Sequence, residues 1–228
     1  MTTTSAPTSA IAPTLCCAPR SLYARVFKRF LDLLASTILL VLLLPLMALV
    51  AAAVRLFLGA PIFYREARAG LHGHPIQIVK FRSMRESTAA DGSSLSDADR
   101  LSLFGRVLRQ TSLDELPQLL SVLRGDMSMV GPRPLPLRYV SRYSPRQAAR
   151  LLVRPGLTGW AQIHGRNAVD WPRRLEYDAH YVEMLGRITA PLTDLWIVLV
   201  TIIQILWQAV TGRGIAAPGA ATMQEFAP

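Results

Sequence analysis

Hydrophobic positions are concentrated in two stretches of this chain. From Leu33 to Val54 no charged residue occurs, and about 22 residues at 1.5 Å each suffice to span a bilayer core. Two features oppose a simple span. Pro45 sits mid-segment, where it removes a backbone hydrogen bond and kinks a helix. Both flanks are basic, with Arg20, Arg25, Lys28 and Arg29 before and Arg55, Arg65 and Arg68 after, which draws both ends to the cytoplasmic side. A helix broken at Pro45 would give two halves of roughly 16 Å that dip into one leaflet and return, with Ser36 and Thr37 bonding preceding carbonyls. The residues alone leave spanning and re-entrant topologies open. The second stretch, Leu192 to Val210, contains Asp194, Gln204 and Gln208, with Trp196 and Trp207 towards its ends. It reads as an interfacial helix, a buried core helix being the alternative.

Between these stretches the pattern is that of a small mixed domain. Ile62-Phe63-Tyr64 and Ile76-Gln77-Ile78-Val79 predict short strands around the turn-rich Gly70–Pro75. His72 and His74 within that connector read as a solvated turn rather than a metal site. Residues 86–99 predict a flexible loop. Helical spacing appears at Leu101, Phe104 and Leu108, and again at Leu116, Leu119, Leu120 and Leu123, with Gly125 ending the latter helix. Tyr139 to Leu152 predicts a helix whose Arg142, Arg146 and Arg150 line a solvated face. Pro155 to Trp160 reads as a loop and Leu175 to Met184 as a further helix.

Charge narrows the partners. A formal net charge of +10 favours anionic ligands. With a membrane segment present and no zinc-finger spacing or RNA-binding aromatic motif, lipid head groups or phosphorylated substrates are favoured over nucleic acid. Cys16 and Cys17, the only cysteines, form no disulfide framework and fit the reducing cytosol. They lie in a Thr/Ser/Ala/Pro-rich start that predicts disorder rather than a signal peptide.

Candidate chemistry centres on Asp114-Glu115. Ser112-Leu113-Asp114-Glu115 fits a capping box, although Pro117 sits better in a first turn capped by Asp114. The same pair suits phosphoryl transfer: a carboxylate kept ionised by a helix N-terminus and neighbouring cations is able to attack phosphorus. A second carboxylate beside it holds a divalent metal or acts as a base. Arg106, Arg109, Arg133 and Arg166 are candidates to neutralise a diphosphate.

A series of motifs then occurs in order: Lys28-Arg29-Phe30-Leu31-Asp32, Pro61–Arg65, Lys80-Phe81-Arg82-Ser83-Met84, Thr111–Gln118, Met127–Pro134, Pro155–Gln162, Gly165-Arg166-Asn167 and Leu175-Glu176-Tyr177-Asp178. In this series the chain resembles the bacterial sugar transferases, the monotopic phosphoglycosyl transferases that prime exopolysaccharide, O-antigen and glycoprotein assembly. The resemblance covers roughly Leu22 to Val210. It implies transfer of sugar-1-phosphate from a UDP-sugar to polyprenyl phosphate, giving polyprenyl-diphosphate-sugar and UMP through a covalent intermediate on Asp114. It further implies Glu115 assisting, Mg²⁺ at Asp114, and the donor contacted by the loop Pro132-Arg133-Pro134. Lys80, Arg82 and Arg166 match basic active-site positions, and Arg109, Gln162 and Asp178 complete the substrate-contact candidates.

The resemblance also implies an α+β, mainly helical fold. Its parts are a tail at 1–21, a re-entrant membrane helix–break–helix at 22–59, a cytosolic catalytic domain with a short β-hairpin at 60–190, an interfacial helix at 191–212 and a flexible tail at 213–228. It places the protein on the cytoplasmic face of the bacterial inner membrane, with a homodimer as a possible assembly and no nucleic-acid partner. Two departures stand out. Leu44-Pro45 occupies the break where many members carry Ser-Pro, and His164 stands where many carry asparagine. Longer members carry additional N-terminal spanning helices, so the sequence reads as a minimal form.

Overall fold

A computed structural model describes residues 19, 21–85, 96–165, 169–211 and 226. Within them the chain is mainly helical with two small two-stranded sheets, the α+β class expected. A π-helical turn, Tyr23–Phe27, leads into α1, Lys28–Phe57. Pro45 lies inside α1, so the expected break takes the form of one continuous helical element with a proline in it. Both ends of α1 dock on the same domain. Near its start Arg29 donates to the Val122 and Leu123 carbonyls at 2.6 and 3.0 Å, and the Asp32 carboxylate accepts from Met129 N at 2.9 Å. Near its end Val50, Val54 and Leu58 pack against Phe81 and Leu108. Between these anchors Ile38, Val41, Leu42, Leu44, Leu46 and Leu49 are exposed. The Ser36 hydroxyl bonds the Asp32 carbonyl at 2.6 Å, as anticipated, a contact that often bends helices.

The predicted hairpin forms from β1 (Phe63–Ala69) and β2 (Pro75–Phe81), antiparallel, with Tyr64 opposite Lys80. Its connector is a short 3₁₀ turn with His72 at φ 56°. After α2 (Asp97–Arg100), Ser102 caps α3 (Leu103–Gln110) through the Gly105 N–H. A 3₁₀ segment, Leu113–Gln118, precedes α4 (Leu119–Arg124), which ends on a left-handed Gly125 as anticipated. Next comes β3 (Ser128–Val130).

The helix expected over 139–152 is instead three short pieces: 3₁₀ turns at Leu137–Arg142 and Ala149–Leu152 flanking α5 (Pro145–Ala148). Ser144 and Pro145 start α5 with a full capping box, and a proline at N1 preceded by an extended residue cannot continue a helix already under way. The three arginines therefore do not share a solvated face. Arg146 is exposed and pairs with Glu176 and Glu183, Arg142 bonds the Phe226 carbonyl, and Arg150 is buried.

Pro155–Trp160, read as a loop, contains β4 (Gly156–Thr158), which pairs in parallel with β3 before α6 (Trp160–Ile163). Finally α7 (Trp171–Met184) and α8 (Ala190–Thr211) close the fold. The polar side of α8 faces inwards: Asp194 accepts from Lys28, Tyr23 and Tyr181, Thr201 bonds Thr158, and Gln204 donates to the Ile163 carbonyl. Leu192, Leu195, Trp196, Leu199, Ile202, Ile203, Leu206, Trp207 and Val210 point outwards. That stripe follows the helical period. A polar face turned to the protein and an apolar face turned out is the reverse of a water-facing helix, so the expected rival, a buried core helix, is ruled out. With α1 this gives two helices long and apolar enough to cross a membrane by length and composition, and their exposed faces mark a membrane-associated protein. Of the flexible tail expected at 213–228 only Phe226 is among the described residues, and it is buried among Tyr139, Tyr143 and Trp171.

Candidate active site

Asp114 and Glu115 sit in the 3₁₀ segment, behind a sharp turn. Ser112 adopts φ 57° and ψ 17°, left-handed, and makes no side-chain cap. A cap requires an extended residue, so the expected capping box is absent. What Ser112 supplies is the turn between α3 and the carboxylates, where its carbonyl accepts from Glu115 N at 3.1 Å. A non-glycine residue in this region is uncommon and clusters at functional sites.

Three elements converge on the pair. Lys80, next to last in β2, donates to Glu115 Oε1 at 2.6 Å. Arg133 donates through Nη2 to Oε1 at 2.5 Å and through Nη1 to Oε2 at 3.4 Å. The loop that carries it is set by Pro132, Pro134 and Pro136, whose φ angles are fixed. Its backbone is held by Gly156 N on the Pro132 carbonyl, Arg150 Nη2 on the Arg133 carbonyl and Ala69 N on the Leu135 carbonyl, at 2.9, 2.5 and 2.9 Å. Arg109, in the last turn of α3, bonds Ser83 Oγ at 3.0 Å and adds its charge to the field at Asp114. Here α3 lies backbone against backbone: a Cβ on Gly105 would stand 1.8 Å from the Ser83 carbonyl oxygen.

The two carboxylates behave differently. Burial pushes Glu115 up, but Arg133 and Lys80 together outweigh it, holding the group ionised well below the usual carboxylate range. Burial and the Glu115 charge raise Asp114 to about 6, against the partial relief from Lys80, Arg109 and Arg133. The expectation that a helix start keeps Asp114 low is therefore reversed: the segment is a 3₁₀ turn, and its neighbour takes the direct cation contacts. The result is one ionised carboxylate paired with two cations and one buried carboxylate only partly offset by positive charge, the pushed-apart pair that marks a reactive site.

The structure thus brings together Lys80, Arg109, Asp114, Glu115, Pro132, Arg133 and Pro134. Arg82 is engaged elsewhere: it donates to the Leu58 and Ala60 carbonyls, bracing the turn between α1 and β1. Gln162 is buried with its amide on the Leu157 carbonyl at 3.1 Å, and its Oε1 has no hydrogen-bond partner among the described residues. Asp178, expected at the substrate, is 1% exposed and paired with Arg150 at 3.0 Å. It acts on the site at one remove, because Arg150 also holds the Arg133 carbonyl and the Tyr143 hydroxyl. Arg166 lies outside the described residues.

Sequence reasoning missed Arg150 and Arg174. Arg174, over the Trp171 ring at 5.3 Å, is held down to about 10 by burial and the nearby Arg133 charge. Neither carries a local signal, since the partner of Arg150 is 28 residues away.

The family model described as bacterial sugar transferase matches residues 23–208, and the chain belongs to that family. It is 47% identical over 158 residues to the uncharacterized sugar transferase EpsL of Bacillus subtilis, covering 69% of this chain and 78% of that protein. It is 48% identical over 145 residues to a UDP-glucose:undecaprenyl-phosphate glucose-1-phosphate transferase of Caulobacter vibrioides, covering 60% and 54%. With the exopolysaccharide production protein ExoY of Sinorhizobium fredii it shares 39% identity over 194 residues, covering 78% and 84%. The chain therefore spans most of the shorter relatives but only about half of the Caulobacter enzyme.

Proposed function

We propose that this protein transfers sugar-1-phosphate from a UDP-sugar to a polyprenyl phosphate at the cytoplasmic leaflet of the bacterial inner membrane, with Asp114 as the nucleophile. The observation that carries the reading is the divided carboxylate pair, Glu115 locked by Lys80 and Arg133 while the same cations and Arg109 only partly offset the burial of Asp114. Relatives named as undecaprenyl-phosphate sugar-phosphate transferases support the reaction class.

In the first step an Asp114 carboxylate oxygen bonds the phosphorus that bears the sugar, the diphosphate bridge breaks, and UMP leaves with the bridging oxygen. In the second a phosphate oxygen of the lipid attacks the same phosphorus and expels the Asp114 carboxylate. Two displacements at one site suit a soluble donor and a membrane-bound acceptor. Arg133, Lys80 and Arg109 offset the charge that collects there. Ionised Glu115, fixed between Lys80 and Arg133, orients those two cations and stands beside the path of the second phosphate. A buried carboxylate only partly offset by cations suits Mg²⁺, which is commonly held by one or two carboxylates with substrate phosphates and water. Asp114 is the residue that would hold it; among the described residues no group of three or more His, Cys, Asp or Glu gathers. Bound there, Mg²⁺ would offset charge on the diphosphate and the leaving UMP.

The membrane arrangement follows from α1. A spanning helix would place its ends on opposite sides, whereas Arg29 and Val54 both dock on the catalytic domain. Basic residues flank both ends, including Lys28, Arg55 and Arg65. In this reading α1 enters and leaves the same leaflet around Pro45, and the outer stripe of α8 lies at the interface.

The test is UMP release from a panel of UDP-sugars, with and without polyprenyl phosphate and Mg²⁺. Continuous release that needs the lipid and one sugar is expected, preceded by at most one equivalent of UMP per enzyme before the lipid is added. Donor binding without release under any condition would instead support a catalytically silent scaffold.

A further inference from the structure

Phe226 lies beyond the end of α8, in a stretch rich in Ala and Gly, yet its side chain is 2% exposed. Three rings wall it in: Tyr139 at 5.5 Å, Tyr143 at 6.0 Å and Trp171 at 5.4 Å between centroids. Leu135 and Leu175 belong to the same buried cluster. Its backbone is read as well as its ring. Tyr139 Oη accepts from Phe226 N at 3.1 Å, and Arg142 Nη1 donates to the Phe226 carbonyl at 2.7 Å. Tilted and edge-on aromatic packing holds the ring while hydrogen bonds satisfy both main-chain groups, so side chain and backbone are fixed together.

The walls of this cage continue into the active site. The Tyr143 hydroxyl accepts from Arg150 at 2.9 Å, Arg150 donates to the Arg133 carbonyl at 2.5 Å, and Arg133 grips Glu115. Leu135, two residues after Arg133, is part of the cage itself. Whatever occupies the cage therefore packs against the residues that fix the arginine loop.

We propose that Phe226 is a built-in ligand of this cage and holds Tyr143, Arg150 and the Arg133 loop in the arrangement that pairs Arg133 with Glu115. Phe226 is a positioning residue, distant from the chemistry. The docking itself does not depend on which reaction the site performs; only its effect on donor binding rests on the function proposed above.

Hydrogen exchange of the full chain in lipid nanodiscs, followed peptide by peptide, tests this without turnover. Phe226→Ala is expected to speed exchange at least ten-fold in residues 131–136 and 139–152, with α3 and α4 unchanged. A peptide of residues 219–228, added at millimolar concentration to the variant, restores protection, whereas the same peptide with Phe226→Ala does not. Exchange within two-fold of wild type in both segments overturns the docking; loosening of 139–152 alone overturns its link to the arginine loop. Should Phe226→Ala unfold the domain, Tyr139→Phe keeps the ring and removes only the acceptor of Phe226 N–H, and the same regional loosening, smaller in size, is expected. In a donor assay Phe226→Ala is expected to show a several-fold higher KM for the UDP-sugar; loss of protection with unchanged KM confines Phe226 to a structural role and overturns its positioning one.

Discussion

Asp178→Asn separates a buried support from a substrate contact. Asp178 and Arg150 are 1% and 4% exposed and meet at 3.0 Å. Burial raises the Asp178 carboxyl, which taken alone would favour neutralising it, but the Asp178 charge also raises the buried Arg150, which cannot shed its own charge. Removing the charge of one partner in such a pair costs about 3–5 kcal/mol, because the other charge stays buried without compensation. Asparagine retains an oxygen for the Arg150 Nε–H, which places the cost near the lower end, about 3 kcal/mol. For a chain of this size each kcal/mol lowers Tm by about 2–4 °C, so a fall of roughly 6–12 °C is expected. Thermal unfolding in detergent, followed by circular dichroism, measures it. The double variant Asp178→Leu with Arg150→Met removes both charges at similar volume and is expected to recover most of the loss, a coupling of about 2 kcal/mol or more. Donor KM in Asp178→Asn should rise only as far as the Arg133 loop loosens. A Tm within about 2 °C of wild type, together with a collapse of donor affinity, would refute the reasoning and return Asp178 to the substrate.

Other outcomes follow from the same geometry. With Asp114 raised to about 6 in the metal-free protein, kcat/KM for the donor, which reports the free enzyme, should fall as pH drops through that value, since a proton competes with Mg²⁺ and the donor for the carboxylate; a flat kcat/KM down to pH 5 contradicts it. A raised carboxylate pKa stabilises the fold below the unfolded value, near 3.8, and loses that contribution as pH rises through about 6. Asp114→Asn should therefore melt higher than wild type at pH 7.5, the gain vanishing below pH 4, and a lower Tm at pH 7.5 contradicts the assignment. Gly105→Ala drives a methyl to 1.8 Å from the Ser83 carbonyl and should cost about 3 kcal/mol or more in chemical denaturation; an unchanged midpoint would show that α3 does not pack there. Leu199→Glu with Ile203→Glu, on the outer stripe of α8, should reduce vesicle association in flotation about ten-fold or more, and undiminished flotation would mean that this face does not meet lipid.

What was legible in the sequence was what local periodicity or a fixed dihedral encodes. The hairpin announced itself through apolar runs around Gly70–Pro75, α4 through its leucines and Gly125, and the arginine loop through Pro132, Pro134 and Pro136. The parallel pair β3 and β4 escaped because each strand has three residues, too few for any alternation to show. The helix expected over 139–152 fails because the four-residue spacing of Arg142, Arg146 and Arg150 runs across Ser144-Pro145 although the backbone restarts there. Ser112 illustrates a different limit: its sequence context fits a cap, but the turn from α3 forces a left-handed residue. The resemblance names Asp178 and local spacing sets Arg150 on a solvated face, whereas their roles come from each other across 28 residues. Phe226 lay hidden for the same reason, since nothing near it in sequence indicates the cage that receives it.

The central claim is the covalent role of Asp114. Its most direct measurement is intact-protein mass spectrometry after mixing the enzyme with its UDP-sugar and Mg²⁺ in the absence of lipid acceptor. The account predicts a mass increase of one sugar phosphate, one equivalent of UMP released, mapping to the peptide that holds Asp114, and discharge on adding polyprenyl phosphate. Full turnover by Asp114→Asn, or wild-type turnover with no adduct and no UMP burst before lipid is added, would contradict it.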